Sequence, residues 1–547
     1  MSKLVICEKP SVAKSIASAL GVTSRADGYF EGGGWLISWC IGHLVGLADA
    51  AAYDDRYKKW RYEDLPILPA PFRYVVSEEK ADQFHILRSL MERPDVTELV
   101  NACDAGREGE LIFRLVYEAT GCSKPFSRLW ISSMEDVAIR EGFADLRPGK
   151  DYDPLYQSAL CRQKADWLVG INASRLFSVL YHRTLNIGRV QTPTLAMLAD
   201  RDSKIVLFRK EKYHHVRLAL ESAEAVSDRI VSPEDAQTIR DACDGKKATC
   251  VSVAQEKKTE KPPKLYDLTT LQREANRVFG YTAKQTLDYA QSLYEKKLTT
   301  YPRTDCRYLP EEQFGDAARI ITALSGVSGL EAVTAKADSA LRGPVWDTKK
   351  ITAHHAIIPT GEEPRSLTGQ EKELYLMIAV QYFLQFYPPM LYEAQKILAT
   401  IVETAWEARG RMIIEPGWTG FAAEEDDEDA KKKETEQSLP SVGNNDAVLC
   451  ADVDALKKKT TPPSRFSEGS QIEAMANVHR FVSNAKAKAV LKENEGIGTE
   501  ATRAGILETL KGRGFITASG KSLVSTPLGQ SLIDMTPDTL RDPVTTA

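Results

Sequence analysis

The chain has 547 residues, several times the size of one folding unit, which excludes a single hydrophobic core and predicts about three or four units. Its 71 basic and 76 acidic residues leave a net charge of −5, which excludes a simple polycation. Eight carboxylates between Glu424 and Glu436, set against Lys431, Lys432 and Lys433, account for that whole excess, so binding of nucleic acid, which needs a basic groove rather than a basic whole, is neither shown nor excluded.

Apolar residues at 43% and charged residues at 27% are the proportions of an ordinary soluble protein with large cores. No uninterrupted apolar run approaches the roughly 18 residues of a membrane span, and Met1 to Pro10 carries no signal peptide. The nine cysteines include no CxxC pair, the nearest two being Cys243 and Cys250, so neither a zinc ribbon nor a disulfide framework is expected. A reducing cytoplasm is the expected location, with nucleoid association following from the resemblance described below.

In chain order, Leu4 to Cys7 reads as a short strand and Ser11 to Leu20 as a helix, with Val12, Ile16 and Leu20 on one stripe. Glu98 to Cys103 is a second strand, and the helix behind it carries Leu111, Leu115 and Ala119 and stops at Gly121. This is α/β patterning, in which active groups gather at the carboxyl ends of parallel strands, where Glu8 and Asp104 both fall. Tyr152 to Phe208 turns helical, including Asp166 to Leu180. His215 to Leu220 and Thr249 to Val253 suggest strands, and Lys257 to Lys264, with its two prolines, reads as a connector. Thr269 to Gln272 and Thr282 to Gln285 each match a capping box. The first of the helices they open is predicted to bury Leu271, Ala275 and Val278 and to end at Gly280; the second, to bury Ala283, Leu287, Ala290 and Leu293. The acidic run near 424 is read as a solvated loop, and Ser467 to Leu510 as helical again.

Asp104 to Glu110, DAGREGE, lies between a strand and a helix. The carboxylates of Asp104 and Glu108 can converge on one hard cation while leaving room for water, a donor set that suits magnesium. Glu8 ends the first strand and can share the same mouth, offering a proton to a leaving oxygen. The plainer reading is that acids at a helix start complement its dipole.

Cys7 to Pro10 together with Asp104 to Glu110 resembles the Toprim fold. Leu298 to Tyr308, LTTYPRTDCRY, resembles the active-site tyrosine segment of type IA DNA topoisomerases. Gly188 to Thr194 (GRVQTPT), Ala353 to Thr360 (AHHAIIPT), Pro463 to Ser470 (PSRFSEGS) and Gly496 to Arg503 (GIGTEATR) are similar to further motifs of that family, in its order and across nearly the whole chain. Tyr266 to Asn276 and the DAGREGE wording resemble the bacterial topoisomerase III branch most. Any one of these motifs alone would be weak.

The resemblance implies a catalytic Tyr301 that attacks a single-strand phosphodiester and keeps the 5′ phosphate, with no ATP required. Glu8 would protonate the leaving 3′ oxygen, Lys9 and Arg303 would offset the developing charge, and His354 would sit near Tyr301 or the phosphate; His355 receives no role. Arg303 also follows from chemistry, because a phenol with a pKa of about 10 needs cationic neighbours to attack. Arg162, Asp166, Arg189 and Gln191 fall on segments similar to those that grip the single strand, with Arg465 and Thr499 as further DNA-binding candidates. An ion pair between helices is the competing reading of Asp166. Trp130, Trp167 and Trp418 are read as core aromatics rather than base-stacking groups. Magnesium would be held by Asp104 and Glu108 with Glu8 nearby.

The sequence departs from the family pattern at two places. Gly106 stands where many members carry a second aspartate, so one carboxylate fewer should weaken or relocate the cation. The sequence ends at Asp538 to Ala547, where relatives usually continue into further helix and often a DNA-binding tail, so a shortened chain is expected.

The implied architecture is a multidomain α/β plus α and β fold, a Toprim domain with a toroidal core. Residues 1–152 form the Toprim unit, 153–207 with 461–547 a helical DNA-binding unit, 208–264 with 363–460 a strand-rich arch, and 265–362 a helical unit carrying Tyr301. Parting of the contact between Tyr301 and the Toprim acids would open a gate for a second strand. Single-stranded and negatively supercoiled or catenated DNA are the expected substrates, a helicase and a single-strand-binding protein the expected partner classes, and the expected state is a monomer away from membranes. Two other readings remain: a Toprim nuclease or primase-like enzyme using the metal alone, which leaves Tyr301 unexplained, and a catalytically silent single-strand clamp.

Overall fold

A computed structural model describes residues 1–546 apart from 221–222, 352–353, 403, 422–436, 438, 440–441 and 494–495. The acidic run Glu424 to Glu436 and Ala353 of the AHHAIIPT segment therefore lie outside the described residues.

The first layer is a seven-stranded sheet. Ser2–Cys7 lies at its centre, parallel to Trp35–Trp39 on one side and to Val96–Ala102 on the other, and Val96–Ala102 pairs in parallel with Phe126–Arg128. A strand covered on both faces must be apolar throughout, and Leu4, Val5, Ile6 and Cys7 are all fully buried. Helix Pro10–Ala19 packs Val12, Ala13, Ile16 and Ala17 inward, and helix Arg107–Thr120 buries Leu111, Ile112, Leu115 and Val116 before the left-handed Gly121 caps it. Register matters most: Cys7 lies opposite Ala102, so the chain leaves two adjacent strands side by side at Glu8 and at Cys103 and Asp104.

Helices Asp153–Leu180 and Gln191–Val206 share a core with segments far along the chain, among them Glu500–Gly512 and Pro527–Met535. Strands Lys212–Leu220, Ala223–Val226, Lys247–Glu260, Met390–Ile401, Thr404–Glu415 and Ala447–Lys459 close into a barrel around Val216, Leu218, Ile397, Trp406 and Val453. Because Lys247–Glu260 keeps its ladder with Met390–Ile401 as far as Glu260, the expected connector shortens to the residues after it.

The largest core surrounds Leu265, Leu271, Leu298, Ile357 and Ile358. Helix Gly369–Phe383 contributes Leu374, Tyr375, Ile378, Tyr382 and Phe383 to that same core, so the segment expected to be strand-rich from 363 opens with a helix and reaches its first strand at Met390. The first expected capping box shifts by two residues. Asp267 caps helix Leu268–Phe279 by accepting from the Thr270 amide at 2.7 Å, Thr270 answers through its hydroxyl, and Thr269 is instead buried. The apolar stripe of that helix accordingly runs through Leu268, Leu271 and Ala275, and Val278 is 42% exposed. The Thr282 box and the four buried residues of helix Ala283–Glu295 are as expected.

Candidate active site

Glu8 and Asp104 meet at the carboxyl ends of adjacent parallel strands, and the peptide around Tyr301 closes over them. The Tyr301 amide donates to the Ser132 carbonyl at 3.1 Å, and the Tyr301 hydroxyl donates to Asp104 Oδ2 at 3.0 Å, joining positions 197 residues apart. Arg303 places Nη1 3.9 Å from Glu8 Oε1 and 4.0 Å from Asp104 Oδ2, between the two acids. Burial and the Asp104 carboxylate push the Glu8 carboxyl up to about 7, against the pull of Arg303 and Lys9. Burial, reinforced by Asp104, raises the Tyr301 phenol well above its ordinary range, while Arg303 works the other way. The site therefore keeps the Tyr301 phenol protonated and hydrogen-bonded to an acid.

His354 lies against the tyrosine, with ring centroids 4.5 Å apart. Its Nε2 donates to the Ala105 carbonyl and its Nδ1 accepts from the Ser132 hydroxyl at 3.0 Å, which fixes one neutral tautomer. Burial holds the imidazole below its usual pKa, in keeping with that tautomer. His355 turns the other way: Nδ1 donates to the Ala356 carbonyl, Nε2 accepts from Gln313, and burial lowers the ring to about 4. Lys9 reaches towards Glu295 at 3.8 Å, next to the acids rather than between them.

Asp104 is held from beneath by groups that the sequence motifs do not single out. Arg128 is wholly buried and donates to the carbonyls of Cys103 at 2.6 Å and Asp104 at 2.7 Å. Glu110, equally buried, pairs with Arg128 at 3.2 Å and with Arg114 at 2.8 Å and accepts from Asn101 at 2.8 Å. Glu110 is thus the counter-ion of a buried arginine and not part of the open mouth. Gly109 lets the helix start pack on Asp104, since a Cβ there would lie 2.1 Å from the Asp104 carbonyl oxygen. Gly109→Ala is expected to displace Asp104 and to slow oligonucleotide cleavage about 100-fold, the scale of an ångström-sized misplacement. Cleavage at the unsubstituted rate by a folded variant would refute this dependence on the position of Asp104.

Gly106 is extended (φ 172°, ψ 174°), and an added Cβ would meet nothing within 4 Å. The missing carboxylate is therefore a chemical difference from the family pattern and not a steric one. Glu108 is 53% exposed, and the hydrogen bond from His43 Nε2, 2.5 Å away, leads the effects that lower its pKa. Among the described residues no three His, Cys, Asp or Glu side chains lie close enough to form a ready cation cage. The donor chemistry nonetheless fits a hard cation. Tyr301 engages one oxygen of Asp104 and His43 one oxygen of Glu108, and the second oxygen of each has no hydrogen bond among the described residues. The strand-end rule that selects Glu8 and Asp104 also applies to Trp35–Trp39 and would have found His43; no local signal marks Ser132 or Arg128.

Beside this mouth, Asp166 bridges two arginines, Arg189 at 2.8 Å and Arg162 at 3.8 Å. Arg162 also feels Arg107 and Glu108, so the trio adjoins the acids. Gln191 opens its helix and accepts from Arg513 at 2.7 Å. Two other candidates are engaged in packing: Arg465 pairs with the buried Asp202, and Thr499 caps helix Glu500–Gly512 together with Thr502. Trp130 stacks between Tyr152 and His354, Trp167 donates to the Ala48 carbonyl, and Trp418 donates to the Glu260 carbonyl.

A tyrosine brought onto an acidic strand-end mouth from a distant helical unit, with a barrel closing the chain between, defines a type IA DNA topoisomerase, and the chain belongs to that family. The Toprim domain profile matches residues 3–134 and the DNA topoisomerase profile matches residues 150–547. Within the family it stands with the topoisomerase III enzymes. It is 39% identical to DNA topoisomerase 3 of Bacillus licheniformis and 38% identical to that of Bacillus subtilis, in each case over 100% of this chain and 77% of the relative. Full-length topoisomerase I of Thermotoga maritima shares the fold, with a TM-score of 0.73 at 22% identity, over 99% of this chain and 84% of that one. No described helix is long and apolar enough to cross a membrane.

Proposed function

We propose that Tyr301 is the nucleophile of an ATP-independent topoisomerase reaction in which a single DNA strand is cut, held through a 5′-phosphotyrosine ester, passed by another strand and resealed. The observation that carries this reading is the Tyr301 hydroxyl hydrogen-bonded to Asp104, with Glu8 and Arg303 alongside. The Tyr301 oxygen attacks phosphorus, its proton passes towards Asp104, and Arg303 offsets charge on the phosphoryl oxygens. Glu8, raised to about 7 and so still partly protonated at neutral pH, gives its proton to the departing 3′ oxygen and takes it back on resealing. One ester replaces another, so the chemistry needs no nucleotide. Lys9 adds positive charge at the rim, and His354 holds the tyrosine ring.

Magnesium would be held by Asp104 and Glu108 with Glu8 nearby, and when bound it would supply positive charge that fixes the cut end for resealing. Arg162, Asp166, Arg189 and Gln191 would carry the single strand to the mouth, with Arg465 and Thr499 at its margin. On this reading residues 1–152 form the Toprim unit, 153–207 with 461–547 the strand-binding unit, 208–264 with the part of 363–460 that begins at strand Met390–Ile401 the arch, and 265–362 together with helix Gly369–Phe383 the tyrosine unit. Negatively supercoiled and catenated DNA are the substrates, a helicase and a single-strand-binding protein the partner classes, and the enzyme works as a monomer.

The test is covalent capture. After a denaturing quench of enzyme with a labelled oligonucleotide, the fragment on the 3′ side of the cut should stay with the protein and the 5′ fragment should be released. Release of both fragments would instead identify a metal-dependent nuclease. Glu8→Gln should still bind the strand but cleave it about 10²- to 10⁴-fold more slowly, the range for loss of a general acid; cleavage within a factor of about 2 of the unsubstituted rate would remove Glu8 from that role.

A further inference from the structure

Strands Lys212–Leu220 and Ala447–Lys459 run antiparallel, with Lys212 directly opposite Lys459 and His214 directly opposite Lys457. Registered pairs share a face, so these side chains form one row, which continues through Val216, Leu218 and Val453 into the barrel core. Along that row the valines and the leucine are buried, whereas Lys212, Lys457 and Lys459 are exposed, as are Arg209 and Lys210 just before them. None of these five cationic side chains has an ion-pair or hydrogen-bond partner among the described residues. The nearby acids are engaged elsewhere, Glu211 with Arg229 and Asp454 with Arg217. Like charges directly opposed across an antiparallel pair cost stability, and nothing described in the protein offsets them here. His214, 8% exposed in the same row, keeps its ring Nδ1 without a hydrogen-bond partner.

Position adds to this. Helix Gln191–Val206 starts at the candidate strand-binding groove and ends just before Arg209. Its 16 residues span about 24 Å, so a phosphate at the row is well removed from one held beside Gln191. A chain whose net charge is −5 thus gathers uncompensated cations on one face of one strand pair, where a polyanion would relieve their repulsion.

We propose that Lys212, Lys457 and Lys459, flanked by Arg209 and Lys210, form a second DNA-binding surface that takes the phosphate backbone of a segment the enzyme passes rather than cuts. The proposal rests on the strand-passage reaction set out above. The test compares a triple variant, Lys212→Gln with Lys457→Gln and Lys459→Gln, with Lys458→Gln, whose side chain lies opposite Tyr213 on the other face. Binding of a short blunt duplex is measured against salt concentration, alongside covalent capture of a short single strand and plasmid relaxation. The triple variant should bind duplex about tenfold more weakly or worse, lose about 3 units of salt slope for three lost phosphate contacts, and relax plasmid more slowly, with strand capture unchanged. Lys458→Gln should match the unsubstituted enzyme.

Unchanged duplex affinity and salt slope in the triple variant would overturn the proposal. An equal fall in strand capture would also overturn it, because the lysines would then belong to the cleavage groove. A loss in Lys458→Gln as large as in the triple variant would overturn the assignment to one face. Absence of capture by the unsubstituted enzyme would sink the cleavage reading instead, and duplex binding would still judge this surface by itself.

Discussion

Tyr301→Phe is expected to abolish covalent capture and plasmid relaxation, with rates falling about 10⁴-fold or more, the scale seen when an enzyme loses its nucleophile. The ring should stay where it is. Its contacts with His354 at 4.5 Å and with Tyr294 at 5.4 Å do not depend on the hydroxyl, and the Tyr301 amide bond to Ser132 is a backbone contact. Among the described residues the loss is confined to the hydroxyl's bond to Asp104 and its interaction with Arg303, and Arg303 remains beside that carboxylate. Oligonucleotide binding should therefore survive, which separates loss of chemistry from loss of fold. Persistent cutting by the Phe variant would assign cleavage to the acids alone and end the tyrosine mechanism.

Arg128→Ala should have the largest effect on stability, about 3–5 kcal/mol, because it removes the fully buried one of the two arginines that pair with the buried Glu110. Both side chains are completely excluded from solvent, and Arg128 also satisfies the carbonyls of Asn101, Cys103, Leu129 and Asp104. Arg114 and Asn101 can retain part of the Glu110 carboxylate, so a somewhat smaller cost would still accord with this geometry. Arg128→Lys should recover part of the stability but not the forked contact to two successive carbonyls, and its activity should lag behind its stability. Denaturant unfolding of both variants, read with single-strand cleavage, tests this; a loss under about 1 kcal/mol in Arg128→Ala would show that the network is not what holds Asp104 in place.

Much of this site is legible in the amino-acid sequence. Strand ends place Glu8 and Asp104 together, because parallel strands bring their carboxyl ends to one edge whatever lies between them in sequence. The tyrosine segment is readable as a motif, but not the partners it meets, since Ser132 and Ala105 belong to another unit and no periodicity links them to Tyr301. The helix at Leu268 shows why local rules fail by small steps. Two overlapping cap patterns compete there, and Asp267 prevails over Thr269 because its carboxylate captures the Thr270 amide, so the helix and its buried stripe begin at Leu268 and Val278, near the far end of the same stripe, stays outside. Arg128 escapes notice for a different reason: a charged residue in a short strand looks like surface until its counter-ion, Glu110, is found in the core.

The contact that brings Tyr301 onto the acids is sparse in carbon. Among the residues of its core, only Tyr294 and Tyr301 come from the tyrosine side, set among Val12, Ile16, Leu129 and Met134. Among the described residues the other links include the stack of Trp130 on His354, the Tyr301 bond to Asp104, hydrogen bonds through Ser132 and Ala105, and charge pairs such as Lys297 with Asp136 and Arg319 with Glu135. Separating the surfaces wets Tyr294, Tyr301, His354 and the face of Trp130 that stacks on His354, and exchanges most of the other bonds for bonds to water. Such a latch can be undone by thermal motion without fuel and reclosed in register by its directional bonds, a mechanical counterpart to a reaction that trades one ester for another.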